Sequence, residues 1–98
     1  MGTGAKRLES RVISYRIEFK ASTAKSLATL PPKIQRRIQG VITTLESNPL
    51  PPAATKLTGR DAYRIRVNDY RIIYSVHERV LTVIVVAIGH RREIYRDN

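Results

Sequence analysis

The 98-residue chain contains no cysteine, which removes disulfides, zinc–thiolate sites, thiolate nucleophiles and thiol redox chemistry together. Only two histidines are present, His77 and His90; without cysteine or acidic residues at ligand spacing they make no metal site. Acidic residues are few, 8 against 18 Lys and Arg. Asp61, Asp69 and Glu78 form no paired-carboxylate arrangement and read as turn residues. No glycine-rich phosphate loop occurs. The longest apolar run, Val83 to Ile88, is too short to span a bilayer. No apolar signal segment follows the start, and Lys6 stands where myristoylation wants Ser or Thr. The expectation is a cytosolic protein that uses no metal and no cofactor.

What remains is apolar residues and positive charge. With 42% hydrophobic residues and 27% charged, the chain can build one small core, and its length suits one domain rather than two. The net charge is +10 and the sequence pI about 10.7. Such a surplus on a small surface attracts polyanions: nucleic acid, the ribosome, anionic lipid or an acidic protein. Arginine outnumbers lysine thirteen to five, and its planar fork suits phosphate and stacks on bases.

Residues 1–12 carry Gly, Lys and Ser without periodicity and are expected to be a flexible leader, with residues 13–98 forming a single domain. Tyr15, Ile17 and Phe19 alternate with Arg16, Glu18 and Lys20, the period of a half-buried strand. Ala24, Leu27 and Ala28 keep a helical period that Pro31-Pro32 stops, and Pro32 is placed to open a second helix. Ile34, Ile38, Val41, Ile42 and Leu45 form that helix's apolar stripe up to Asn48-Pro49. Gly40 within it costs about 1 kcal/mol relative to Ala, either because something packs closely there or as a tolerated loss. Leu50 to Thr55 reads as a loop.

The remainder is β. Tyr63, Ile65 and Val67 alternate with Arg64 and Arg66, and Tyr70, Ile72 and Tyr74 alternate with Arg71 and Ile73. Asn68-Asp69 make the hairpin turn between them. Val80 to Ile88 is the β-branched run of a strand covered on both faces. The predicted fold is α+β: an N-terminal strand, an α-helical hairpin, then a three-stranded antiparallel meander, with the helices packed on one face of the sheet.

Arg64 and Arg66 must point to one face of their strand, and Arg71 joins them across the hairpin if its apolar neighbours fill the core. That face is expected to be exposed, because burying guanidiniums without partners is costly. A merely solvated face would interleave both signs, whereas here the acids Asp69 and Glu78 keep to the turns. A phosphate-gripping surface fits better. Gly89 is expected to end the last strand, followed by His90, Arg91, Arg92, Glu93, Ile94 and Tyr95. His90 lies in this cationic cluster and is a better candidate than His77, which reads as a surface residue near a turn.

Several stretches together resemble the RelE family of bacterial and archaeal toxins: Lys56-Leu57-Thr58-Gly59, Tyr63-Arg64-Ile65-Arg66-Val67, Asp69-Tyr70-Arg71-Ile72-Ile73-Tyr74, and Gly89-His90-Arg91-Arg92-Glu93-Ile94-Tyr95, after a Leu30-Pro31-Pro32 helical hairpin. The resemblance runs from Tyr15 through Arg96. It implies a type II toxin that enters the ribosomal A site, cuts mRNA there, and is held inactive by a cognate antitoxin. Operator DNA would be met only through the toxin–antitoxin complex, and no membrane is involved. By the same resemblance, Arg64, Arg66, Arg71, Arg91 and Tyr95 form the catalytic set, and Lys33, Arg36, Arg37, Lys56, His90 and Arg92 are RNA-binding.

The implied chemistry is metal-independent attack of a ribose 2′-hydroxyl on the adjacent phosphate, giving a 2′,3′-cyclic phosphate. Well-known members carry lysines where this chain has Arg64 and Arg66, and an arginine is a poor base. Tyr95 is left either as the base, its phenolate favoured by surrounding cations, or as a stacking platform. Arg91 or His90 is left as the proton donor to the departing oxygen. Two rivals differ in class: a ParE-like toxin that poisons DNA gyrase, and a plain basic nucleic-acid-binding module.

Overall fold

The computed structural model describes residues 14–90. The expected leader at 1–12 lies outside the described residues, as do Arg91, Arg92 and Tyr95. The element order is β1 (Arg16–Phe19), α1 (Ala21–Ala28), α2 (Pro32–Thr44), β2 (Thr55–Lys56), β3 (Tyr63–Val67), β4 (Tyr70–His77), a 3-10 turn (Glu78–Val80) and β5 (Thr82–His90). The strands form one sheet in the order β1-β5-β4-β3-β2.

Pro32 opens α2 as expected, since its missing N–H falls where a helix start has no acceptor to offer. The tight corner between the helices is held by Gln35, whose Nε2 donates to the Leu30 carbonyl at 2.8 Å and the Ala28 carbonyl at 3.2 Å. The α2 stripe then lands where its period points. Ile38, Ile42 and Leu45 are buried, and Ile34 and Val41 pack at the margin of the same cluster. Leu27 of α1 joins them against Ile65, Val67, Ile72, Tyr74, Val83, Val85 and Ile88 of the sheet. Both helices therefore cover one face.

β1 pairs in parallel with β5, Ile17 opposite Val83, so the first strand lies beside the last. That leaves β4 in the middle of the sheet, with β3 and β5 antiparallel on its two sides. The predicted loop at Leu50 to Thr55 gives up its last residue to β2, where Thr55 pairs with Arg64 and Lys56 with Tyr63. The last strand also differs in extent. Val80 belongs to the 3-10 turn and Leu81 takes a left-handed φ of 47°, so pairing starts at Thr82 and continues past Gly89 to His90.

A second, small apolar cluster lies apart from the main core: Ala62 and Ile73 are buried, with Leu57, Val86 and Ala87 packed against them. Val86 is the extra residue of a β-bulge, since Tyr74 pairs with Val85 while Ile73 pairs with Ala87. One inserted residue exchanges the two faces of everything beyond it. Before the bulge Val83 and Val85 face the helices; after it Ile88 and His90 do, and Gly89 turns to the opposite face.

Candidate active site

The face of the sheet away from the helices carries the arginines. Arg66 pairs directly with Arg71 across the β3–β4 hairpin, and Arg64 lies two residues before Arg66 on the same side. On the other flank of Arg71 the register places Gly89, which has no side chain to occupy the space above the sheet. Three of the five expected catalytic residues are thus brought together. The other two, Arg91 and Tyr95, lie outside the described residues.

The expectation that this face is uniformly exposed is corrected. Arg66 is exposed and Arg64 half-buried, but Arg71 retains only 3% of its accessible surface. The reason is topological: β4 is the middle strand, flanked on both sides, and Ile73 two residues on belongs to the small apolar cluster. An arginine can lay its aliphatic stem along such surface. Alternation places a side chain on a face; it does not say how much of that face is covered.

Beside Arg64 and Arg66 the sheet edge forms an open pocket of about 380 Å³ that Ala53 and Thr55 complete. Thr55, opposite Arg64, brings a hydroxyl-bearing side chain to the pocket beside the two arginines. Nothing in the sequence singles it out, because the pairing of β2 with β3 is what brings it there.

The five expected RNA-binding residues among those described fall elsewhere. His90 pairs with Tyr70 on the helix-facing side, ring edge against ring with centroids 5.7 Å apart. The bulge, which sequence alternation could not reveal, is what turns it from the arginines. Lys56 is exposed at the sheet edge, opposite Tyr63. Arg37, on α2, donates from Nη1 to the Asn68 side-chain oxygen at 3.1 Å, linking the helix to the hairpin turn. Asn68 itself sits at φ 56°, a left-handed conformation that Asn tolerates better than most residues. Lys33 and Arg36 are exposed.

Beneath the hairpin, Tyr74 is fully buried, its ring stacked on Tyr63 at 5.8 Å and its hydroxyl donating to the Pro49 carbonyl at 2.7 Å. Burial, with a smaller contribution from Tyr63, pushes its pKa up from 10.0 to about 12. Tyr74 therefore stays a neutral donor that ties the segment after α2 to the sheet and takes no part in proton transfer at ordinary pH. His77 is exposed, with Nε2 2.8 Å from the Ser75 hydroxyl.

Residues 9–95 match the family described as the ParE toxin of type II toxin-antitoxin systems, parDE. The chain belongs to that family. This ParE-family toxin is 32% identical over 80 residues to a RelE-like toxin protein of Escherichia coli, covering 79% of this chain and 83% of that one. It is 28% identical over 86 residues to toxin RelG of Mycobacterium tuberculosis, covering 84% and 97%. Among solved structures, the archaeal RelE-RelB complex from Pyrococcus horikoshii OT3 matches with a TM-score of 0.69 and 31% identity, over 80% of this chain and 96% of that chain. The protein is a type II toxin of the RelE/ParE superfamily with the RelE α+β fold, and its RelE-named relatives favour the RelE type over the gyrase poison.

Proposed function

We propose that this toxin is a ribosome-dependent endoribonuclease that cuts mRNA in the A site. The observation that carries the reading is the convergence of Arg64, Arg66 and Arg71 on one side of the sheet. A phosphodiester under attack gathers negative charge on its oxygens, and guanidiniums placed in advance stabilise that charge without rearranging. The 2′-oxygen bonds to phosphorus and the bond to the 5′-oxygen breaks, leaving a 2′,3′-cyclic phosphate and a 5′-hydroxyl. The 2′-hydroxyl gives up a proton, and the 5′-oxygen takes one.

Arg64, Arg66 and Arg71 are the clamp in this reading, and none is a competent base because guanidinium stays protonated. Tyr95 is the proposed base and Arg91 the proposed donor to the departing oxygen. His90 is the weaker donor, since its pairing partner is Tyr70 and not Arg71. Lys33, Arg36 and Lys56, all exposed, are proposed ribosomal RNA contacts together with Arg92. So few groups would act slowly on free RNA, and the ribosome supplies alignment.

The proposed protein partner is a cognate antitoxin, as family membership suggests and as RelE of Pyrococcus horikoshii has in RelB. Operator DNA is reached through that complex, and the site of action is the cytosol. The test is addition of the protein to ribosomes programmed with a defined message. A cut under the A-site codon with a cyclic phosphate end is expected. An intact message at stoichiometric toxin overturns the proposal, and trapped gyrase–DNA breaks in its place would assign the protein to gyrase.

A further inference from the structure

β1 is an edge of the sheet: it pairs with β5 on one side, and no strand lies beyond it among the described residues. Arg16 and Lys20 donate their N–H groups to the Leu81 and Val85 carbonyls at 2.7 and 3.2 Å, so Arg16, Glu18 and Lys20 turn their backbone polar groups towards β5. By alternation those of Ile17 and Phe19 point outwards. Tyr15 also points outwards, and its N–H is taken by the Glu46 carbonyl at 2.7 Å, so the chain just after α2 covers the start of the edge. From Ile17 onward the edge is a template for another strand.

The side chains along this edge have a definite pattern. On the helix side, β1 and α2 enclose an open groove of about 300 Å³ lined by Ile17, Phe19, Gln39, Ile42, Thr43 and Glu46. Phe19 is one of the few large apolar side chains left exposed. On the other face of the strand Arg16, Glu18 and Lys20 are all exposed, with Arg16 and Glu18 3.6 Å apart as an ion pair. Glu18 and Glu46 offset Arg16 and Lys20, so in a chain of net charge +10 this edge is locally balanced. A polyanion or an acidic peptide would meet two carboxylates here.

We infer that this edge docks a second copy of the chain, the two β1 strands pairing antiparallel about a two-fold axis through Phe19. In that register Phe19 faces the partner's Phe19, Glu18 faces the partner's Lys20, and Ile17 faces the partner's Ala21. Both charge pairs are opposite in sign. Neighbouring symmetric registers fare worse. An axis through Glu18 sets Glu18 against itself and Arg16 against Lys20, and an axis through Ile17 brings the partner's Phe19 to the place where Glu46 already holds Tyr15. Phe19 supplies two backbone hydrogen bonds across the axis. The Ala21 N–H, without an acceptor at the start of α1, donates to the partner's Ile17 carbonyl and so adds two more. The groove takes the partner's Phe19 ring against Ile17 and Ile42. Because the axis stands perpendicular to the sheet, both arginine faces lie on the same side, and Arg64 and Arg66 on the distant β3 stay open. The inference therefore stands apart from the nuclease reading.

The contact is small, so a weak dimer is expected, with a dissociation constant of about 10–100 µM. Sedimentation equilibrium of the full chain measures it, at about 0.15 M salt so that repulsion between two cationic copies is screened beyond about 8 Å. Glu18→Lys and Lys20→Glu each set like charges opposite one another, and each should weaken dimerisation about tenfold or more. Lys20→Glu also lowers the net charge, so its weakening distinguishes this contact from general repulsion. The double variant Glu18→Lys/Lys20→Glu restores opposite signs and should recover the unsubstituted constant to within about threefold. The two single variants, mixed, should form the mixed dimer. Phe19→Pro removes the outward N–H while leaving the bonds to β5, and should abolish the dimer in a chain that circular dichroism shows to be folded.

A chain that stays monomeric up to about 1 mM overturns the inference, as does a dimer that both single variants leave unchanged. Slow amide exchange at Ile17 and Phe19 in a monomer would give the edge to other residues of the same chain and overturns it too. Rescue of Glu18→Lys by Arg16→Glu in place of Lys20→Glu would overturn the axis through Phe19 in favour of one through Ile17. None of these readings uses the ribosome or RNA, so an inactive nuclease and a false dimer contact are told apart.

Discussion

Arg66 and Arg71 stand directly opposite each other across the β3–β4 hairpin, one exposed and the other all but buried. Like charges in cross-strand positions destabilise a sheet by a few tenths of a kcal/mol up to about 1. In the nuclease reading, the same proximity is what lets two guanidiniums reach one phosphate.

Arg66→Thr should therefore separate stability from function. The β-branched threonine suits an edge-proximal strand and removes the repulsion, so urea unfolding should show a gain of about 0.5 kcal/mol. Cleavage on programmed ribosomes should fall by about a hundredfold, the effect of losing one well-placed charge-stabilising donor. A destabilised variant with full activity would contradict both halves.

Tyr95→Phe and Arg91→Ala test the proposed proton transfers. If the phenol is the base, the Phe variant loses cleavage by a factor of about 10² or more at every pH, consistent with removal of a general base. If the ring stacks on a nucleobase, Phe retains most of the activity. Single-turnover rates across a pH series decide between the two.

Tyr74→Phe removes the hydroxyl that donates to the Pro49 carbonyl. The lost bond should cost about 1 kcal/mol, read from chemical denaturation at neutral pH. The pH dependence has a definite sign. The folded-state pKa of about 12 lies above the ordinary 10.0, so the folded protein holds the proton more tightly than the unfolded chain. The associated stability is complete below pH 10 and declines as pH rises towards 12. The difference between the unsubstituted protein and Tyr74→Phe should narrow over that interval.

Gly40→Ala should raise stability by up to about 1 kcal/mol, because the added methyl meets open space and the unfolded chain loses freedom. Thermal unfolding followed by circular dichroism measures it. A fall in the melting temperature would mean that the helix packs more tightly at Gly40 than the structure shows.

Much of this could be read along the chain. The α2 stripe needs only the helical period, Pro32 announces its own helix start, and Arg64 and Arg66 share a face because strand geometry leaves no alternative. Local periodicity reports which way a side chain points relative to its neighbours. It does not report who sits on the next strand. The parallel pairing of β1 with β5 joins residues more than sixty positions apart, and β2 is two residues that become a strand only because Tyr63 and Arg64 lie beside them.

The clearest division lies between Arg71 and His90. Sequence alone determined that Arg71 opposes the side chains of Tyr70 and Ile72, and that the chain carries a surplus of cations with no acids among them on the strands of the hairpin. Tertiary structure decided that Arg71 is buried, through the middle position of β4, and that His90 faces Tyr70, through the bulge at Val86. Periodicity is a property of one strand's backbone and is written in its residues. Burial and register are properties of the assembled sheet, set by the packing free energy of neighbours far away in sequence.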